Sequence, residues 1–146
     1  MYSIGMPAAE AILLCLVVGI TDGDTVTVRC DQQPQAIVRL AEIDAPEKRQ
    51  PFGERSRQHL ADVCFHRRAE VVPRTTDRYG RTVARVRCDG VDASAEQVRA
   101  GMAWAFTKYL TDPTIKQLEV EARTTGVGLW TDREPIAPWD WRKQHH

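Results

Sequence analysis

Leu13-Leu14-Cys15-Leu16-Val17-Val18-Gly19-Ile20-Thr21-Asp22-Gly23-Asp24-Thr25-Val26-Thr27-Val28-Arg29-Cys30 contains the pattern that decides the fold. Its first part is continuously apolar up to Ile20, and Thr25 to Arg29 alternates apolar and polar as a half-buried strand does. Asp-Gly between two such runs is a strong short-range hairpin signal. With Asp22-Gly23 as a two-residue turn, Cys15 stands opposite Cys30, close enough for a disulfide. The same positions suit two buried thiols equally well.

Outward from the hairpin, Ala36 to Ile43 reads as a third strand, stopped where Asp44-Ala45-Pro46 restricts the backbone and removes a donor. Gly53 to Cys64 carries Leu60, Val63 and Cys64 at helical spacing. Ala69–Val72 and Thr82–Cys88 are strands four and five. A helix starts near Asp92 and ends at Gly101; another has Asp112 as N-cap, Pro113 at its first position and Gly126 at its end. The segment from Thr131 to Trp141 reads as a strap over the surface, its tryptophans packed. This order predicts an α+β fold: a five-stranded Greek-key OB barrel with about three α-helices.

At 146 residues the chain suits one domain, placed at residues 12–142. Residues 1–11 read as a flexible N-terminal remnant, of an export signal or of an expression leader, and residues 143–146 as a tail, with His145-His146 as tag residue. Twenty basic and 20 acidic side chains cancel, so the whole molecule has no field that would advertise a nucleic-acid or membrane partner. Between Arg39 and Arg87, however, arginine and lysine outnumber the acids. The apolar run from Ala11 to Ile20 is about half of what a membrane-spanning helix needs, so no span is expected. Cys15, Cys30, Cys64 and Cys88 form an even set without zinc spacing, which leans towards disulfides and a secreted or periplasmic location.

Acidic residues cluster at two predicted strand ends, Asp22 with Asp24 and Asp44 with Glu47. Singly, aspartates beside glycine or proline are ordinary turn formers. Together at one barrel mouth they offer the hard oxygen donors that calcium takes. Arg39 precedes Asp44 by five residues, and Arg81 follows Tyr79-Gly80 in a tight polar loop; a guanidinium fork matches phosphate oxygens.

Three motifs then occur in order: Asp22-Gly23-Asp24-Thr25-Val26, Val38-Arg39-Leu40 leading to Ile43-Asp44-Ala45-Pro46-Glu47, and Asp77-Arg78-Tyr79-Gly80-Arg81. With Ala95–Trp104, Gly128-Leu129-Trp130 and Pro138-Trp139-Asp140-Trp141-Arg142, the chain resembles the staphylococcal nuclease (thermonuclease) family over nearly everything after the first dozen residues. The resemblance implies a calcium-dependent hydrolase that cuts DNA and RNA at the 5′-oxygen and leaves 3′-phosphorylated products. It implies Asp24, Asp44 and the carbonyl of Ala45 as metal ligands, with Asp22 behind them. Arg39, Glu47 and Arg81 are then the catalytic set, and Arg78, Tyr79, Thr107 and Tyr109 face the substrate. Ala45 replaces a threonine of the best-known member, and Thr107 falls where a tyrosine is expected, with Phe106 beside it. A monomer without protein partners is expected. The competing reading is an inactive OB-fold module that binds nucleic acid or protein.

Overall fold

The computed structural model describes residues 11–145; the assigned N-terminal remnant lies, except for Ala11, outside the described residues, as does His146. β1 (Leu13–Asp22) and β2 (Thr25–Cys30) form the expected hairpin, followed by β3 (Ala36–Leu40), a two-residue β4 (Ile43–Asp44) and α1 (Gly53–Cys64). Next come β5 (Arg68–Thr76), β6 (Thr82–Cys88), β7 (Val91–Asp92), α2 (Ala93–Arg99), β8 (Trp104–Ala105), α3 (Pro113–Thr125) and α4 (Pro138–Gln144). The main sheet runs β3-β2-β1-β5-β6-β7, and a parallel pairing of β3 with β6 closes its first five strands into a barrel. The expected five-stranded barrel is therefore present, with four α-helices among the described residues rather than about three.

Val17, Val26, Val28, Val38, Leu40, Val71 and Val86 fill the barrel. Leu60 and Cys64 from α1, Val98 from α2 and Ile115 from α3 complete the same core. Alternation explains the selection: Val38 and Leu40 point inward, so Arg39 between them points outward. Cys15 is bonded to Cys30, and Cys64 to Cys88, the latter tying the end of α1 to β6. Among the described residues no helix is long and apolar enough to cross a membrane.

The structure corrects three expectations. The turn residues are Gly23-Asp24, because Asp22 pairs with Thr25. Cys15 still meets Cys30 because β1 carries one extra residue between Val17 and Gly19 and another between Ile20 and Asp22, and these bulges restore the register. The third strand stops at Leu40, where Ala41 and Glu42 turn the chain with Glu42 at φ 78°. The segment from Thr131 is not a strap throughout: Thr131 ends a 3₁₀ turn, residues 132–137 are irregular, and Pro138 starts a helix, α4, whose Trp139 packs as expected.

The strained position of Glu42 follows from its side chain, which is 1% exposed. Its carboxylate accepts from the Thr111 N–H (2.9 Å) and Oγ1 (2.6 Å), the Asp112 N–H (2.7 Å) and Arg74 Nη1 (2.8 Å). The turn after β3 is thereby fixed to the start of α3. Burial alone would raise its pKa, but the Thr111 and Asp112 donors and Arg74 hold it below the ordinary range. The carboxylate thus stabilises the fold above its unfolded pKa, and that contribution disappears as pH falls through the depressed folded value. Glu42→Ala is expected to cost about 2 to 4 kcal/mol, since each orphaned buried donor costs about 1 to 3 kcal/mol. Urea unfolding should show the deficit at pH 7 and a smaller one in acid.

Candidate active site

The Gly23-Asp24 turn reaches the β3–β4 corner because a glycine allows it: a Cβ on Gly23 would collide with Ser56 Oγ and Ala45 Cβ. Two helices hold this turn. The fully buried Gln97 of α2 donates from Nε2 to the Gly23 carbonyl (2.7 Å) and the Ser56 carbonyl (3.0 Å). Ser56 of α1 donates from Oγ to the Met102 carbonyl (2.6 Å). Asp24 in turn grips the corner: its Oδ2 accepts from the Ala45 N–H (2.8 Å), and its carbonyl accepts from the Leu40 N–H (2.8 Å). Asp22 Oδ1 accepts from the Asp24 N–H (3.1 Å). The two acidic motifs thus lie at one end of the barrel, as expected from the sequence.

Arg39 sits between them, its side chain 13% exposed. Nη1 donates to the carbonyls of Leu40 (2.7 Å) and Ile43 (2.8 Å), and Nη2 lies 3.3 Å from Asp44 Oδ1 and 3.5 Å from Asp24 Oδ2. One guanidinium therefore spans both carboxylates while its other edge is fixed to the backbone. Burial pushes Asp22 up to about 7, helped by the charge of Asp24. Burial also pushes Asp44 up to about 6, against the hydrogen bonds of Arg142. Asp24 is buried too, yet Arg39, Asp22, Ala45 and Thr25 hold it low.

Glu47 completes the group through a residue to which the sequence reading gave no role. Arg142, on α4, donates from Nη2 to Asp44 Oδ2 (2.6 Å) and from Nη1 to Asp44 Oδ1 (3.2 Å) and Glu47 Oε1 (2.8 Å). Its motif was legible, but nothing local signalled that it returns across the chain to the acidic corner. Gln97 and Ser56 were missed likewise, as uncharged residues inside helices.

Arg81 stands apart from this cluster. Its N–H and Nε donate to Asp77 (2.9 and 2.8 Å), the residue it is paired with among the described residues. The β3–β6 register sets Thr82 beside Val38 and Val83 beside Arg39, so Arg81 lies just before the strand next to that of Arg39. Arg78 and Arg81 both lie over the ring of Tyr79, which is 69% exposed. Thr107 and Tyr109 form an exposed 3₁₀ turn. Phe106, rather than Thr107, faces Arg39 (5.9 Å from Cζ to the ring centre), packs edge-on against Tyr109 and stacks on Trp139.

Among the described residues no group of three or more His, Cys, Asp or Glu side chains gathers in a way that would hold a metal ion by itself. The expected set has two such side chains, Asp24 and Asp44, with a backbone carbonyl and water for the rest. Those are hard oxygen donors, and calcium accepts carboxylate, carbonyl and water oxygens together. Burial of mutually repelling carboxylates at one corner fits a cation in the same place.

Comparison with known proteins shows the family. The sequence model of the staphylococcal nuclease homologue family matches residues 37–132, which hold Arg39, Asp44, Glu47 and Arg81. The chain belongs to that family. Membership places this staphylococcal nuclease homologue among nucleases, enzymes that hydrolyse phosphodiesters. It is 43% identical over 130 residues to an uncharacterized endonuclease of Haemophilus influenzae, covering 89% of this chain and 73% of that one. It is 48% identical over 139 residues to protein ParB of Escherichia coli (88% and 78% covered), and 42% identical over 138 residues to a micrococcal nuclease of Shigella flexneri (87% and 79% covered).

Proposed function

We propose that this homologue is a calcium-dependent nuclease that hydrolyses DNA and RNA at the 5′-oxygen and leaves 3′-phosphorylated products. The observation that carries the reading is Arg39, a phosphate-matching guanidinium 3.3 and 3.5 Å from two buried carboxylates. Asp24, Asp44 and the Ala45 carbonyl would hold the cation, with Asp22 fixing the Asp24 backbone. When bound, calcium would supply Lewis-acid polarisation of a phosphoryl oxygen. Glu47, on the rim with a side chain 36% exposed, would accept a proton from the attacking water. Arg39 stabilises the charge that builds on the phosphoryl oxygens, and its backbone bonds keep it aimed without reorganisation. Arg81, held by Asp77, binds the same phosphate from the neighbouring strand and assists the leaving 5′-oxygen. Arg78, Tyr79, Thr107 and Tyr109 contact the nucleotide, the exposed rings offering stacking faces. The two disulfides support a secreted or periplasmic location, and the enzyme works as a monomer.

The test is cleavage of single- and double-stranded DNA and RNA by the pure protein, with calcium and with chelator, followed by analysis of the new ends. Calcium-dependent cutting that leaves 3′-phosphates is the expected result. Products with 5′-phosphates would overturn the chemistry, and retention of strands without any cutting would favour the inactive binding module.

A further inference from the structure

Glu47 is attached to the C-terminal segment at both ends. Its N–H donates to Gln50 Oε1 (3.1 Å), while Gln50 Nε2 donates to the Ile136 carbonyl (2.5 Å) just before α4. Its carboxylate takes Arg142 Nη1 at 2.8 Å, and the same guanidinium forks onto Asp44, whose side chain is 2% exposed. α4 itself is anchored by Trp139, which packs edge-on against Trp104 and flat on Phe106. All of these C-terminal groups lie beyond residues 37–132, the part matched by the family.

We propose that Arg142 is a positioning residue of the nuclease site: carried in by α4, it holds the Glu47 carboxylate in register with Asp44. The inference rests on the reading of Glu47 as the proton acceptor. A rim glutamate has several rotamers of similar energy, and an acceptor works only from the orientation that meets the attacking water. The Arg142 fork selects one of them by bridging a mobile carboxylate to an immobile one. Arg142 also brings a positive charge to the face of Asp44 that a cation would share, so its two effects oppose each other: it helps turnover and weakens calcium binding.

This opposition gives a signature that a purely structural role lacks. In the full-length chain, Arg142→Gln is expected to lower kcat on a single-stranded oligodeoxynucleotide by on the order of 10- to 100-fold, the scale of a small misplacement. KM should stay within about threefold, because the substrate-facing arginines are untouched. Calorimetric titration of the metal-stripped protein without nucleic acid should show calcium bound about three- to tenfold tighter, as expected when a nearby like charge is removed. Arg142→Lys keeps the charge and loses the fork, so its calcium affinity should stay near wild type while kcat falls at least about threefold.

A kcat for Arg142→Gln within about threefold of wild type would overturn the proposal, as would unchanged or weaker calcium binding alongside a loss of turnover. If Arg142→Gln fails to fold, Arg142→Lys decides, and wild-type turnover in that variant sinks the idea. Should wild type bind calcium but cut nothing, the nuclease reading fails and Arg142 has no acceptor to position. Cutting by wild type with unaffected Arg142 variants would fault only the role of Arg142.

Discussion

Arg39→Ala is expected to lower turnover by on the order of 10²- to 10³-fold, the scale seen when one preorganised donor to a developing oxyanion is removed. The same substitution should destabilise the metal-free protein by about 3 to 5 kcal/mol, because it breaks a buried ion pair from one side. Both effects follow from one geometry. Nη1 satisfies the Leu40 and Ile43 carbonyls, and Nη2 faces Asp44 and Asp24. Alanine leaves two acceptors and two buried carboxylates short of a donor. Arg39→Lys should rescue little, since an ammonium cannot cap two carbonyls and span two carboxylates at once. Steady-state kinetics and urea unfolding of both variants check the pair of effects. Calcium should recover part of the lost stability but not the lost rate.

Glu47→Gln is expected to show the opposite combination. Turnover should fall by on the order of 10²- to 10⁴-fold, the range for removing a general base, while unfolding free energy changes by less than about 1 kcal/mol, as for a partly exposed ion pair. The amide is nearly isosteric and can still accept from Arg142, so the loop from Glu47 to Gln50 keeps its hydrogen bonds. It cannot take a proton from water. Residual cutting that ignores the substitution would point to another acceptor or to a contaminating nuclease, which chelator and the Arg39 variant distinguish.

Much of this molecule was legible because its signals are local. Helix α1 spans Gly53 to Cys64 as its periodicity indicates, and β6 spans Thr82 to Cys88. Asp112 caps α3 through Thr114, and Gly126 ends it in the left-handed region. The hairpin shows how a correct pairing can arise from a turn misplaced by one residue. Asp-Gly is the stronger turn signal, but Gly23-Asp24 takes the corner, since Gly23 must lie flat against Ser56 and Ala45. Two bulges, invisible to alternation, then return Cys15 to Cys30. The third strand was read too long because Ala41 and Glu42 look continuous with it; four donors to a buried Glu42, three of them from Thr111 and Asp112, bend the chain there.

Alternation, capping and motif spacing are properties of neighbouring residues, and they were enough to read the barrel, α1 to α3, and the residue types of an acidic corner beside a basic segment. How those groups meet is a matter of long-range packing. Arg39 spans Asp24 and Asp44 because the β1–β2 turn and the β3–β4 corner converge, and Arg81 stays with Asp77 one strand away. Gln97 holds the Gly23 turn from α2, and Arg142 returns from the last helix to join Asp44 to Glu47. Most of these contacts join residues far apart in the chain, and barrel closure together with the packing of α2 and α4 against it, rather than any local preference, brings them within hydrogen-bond reach.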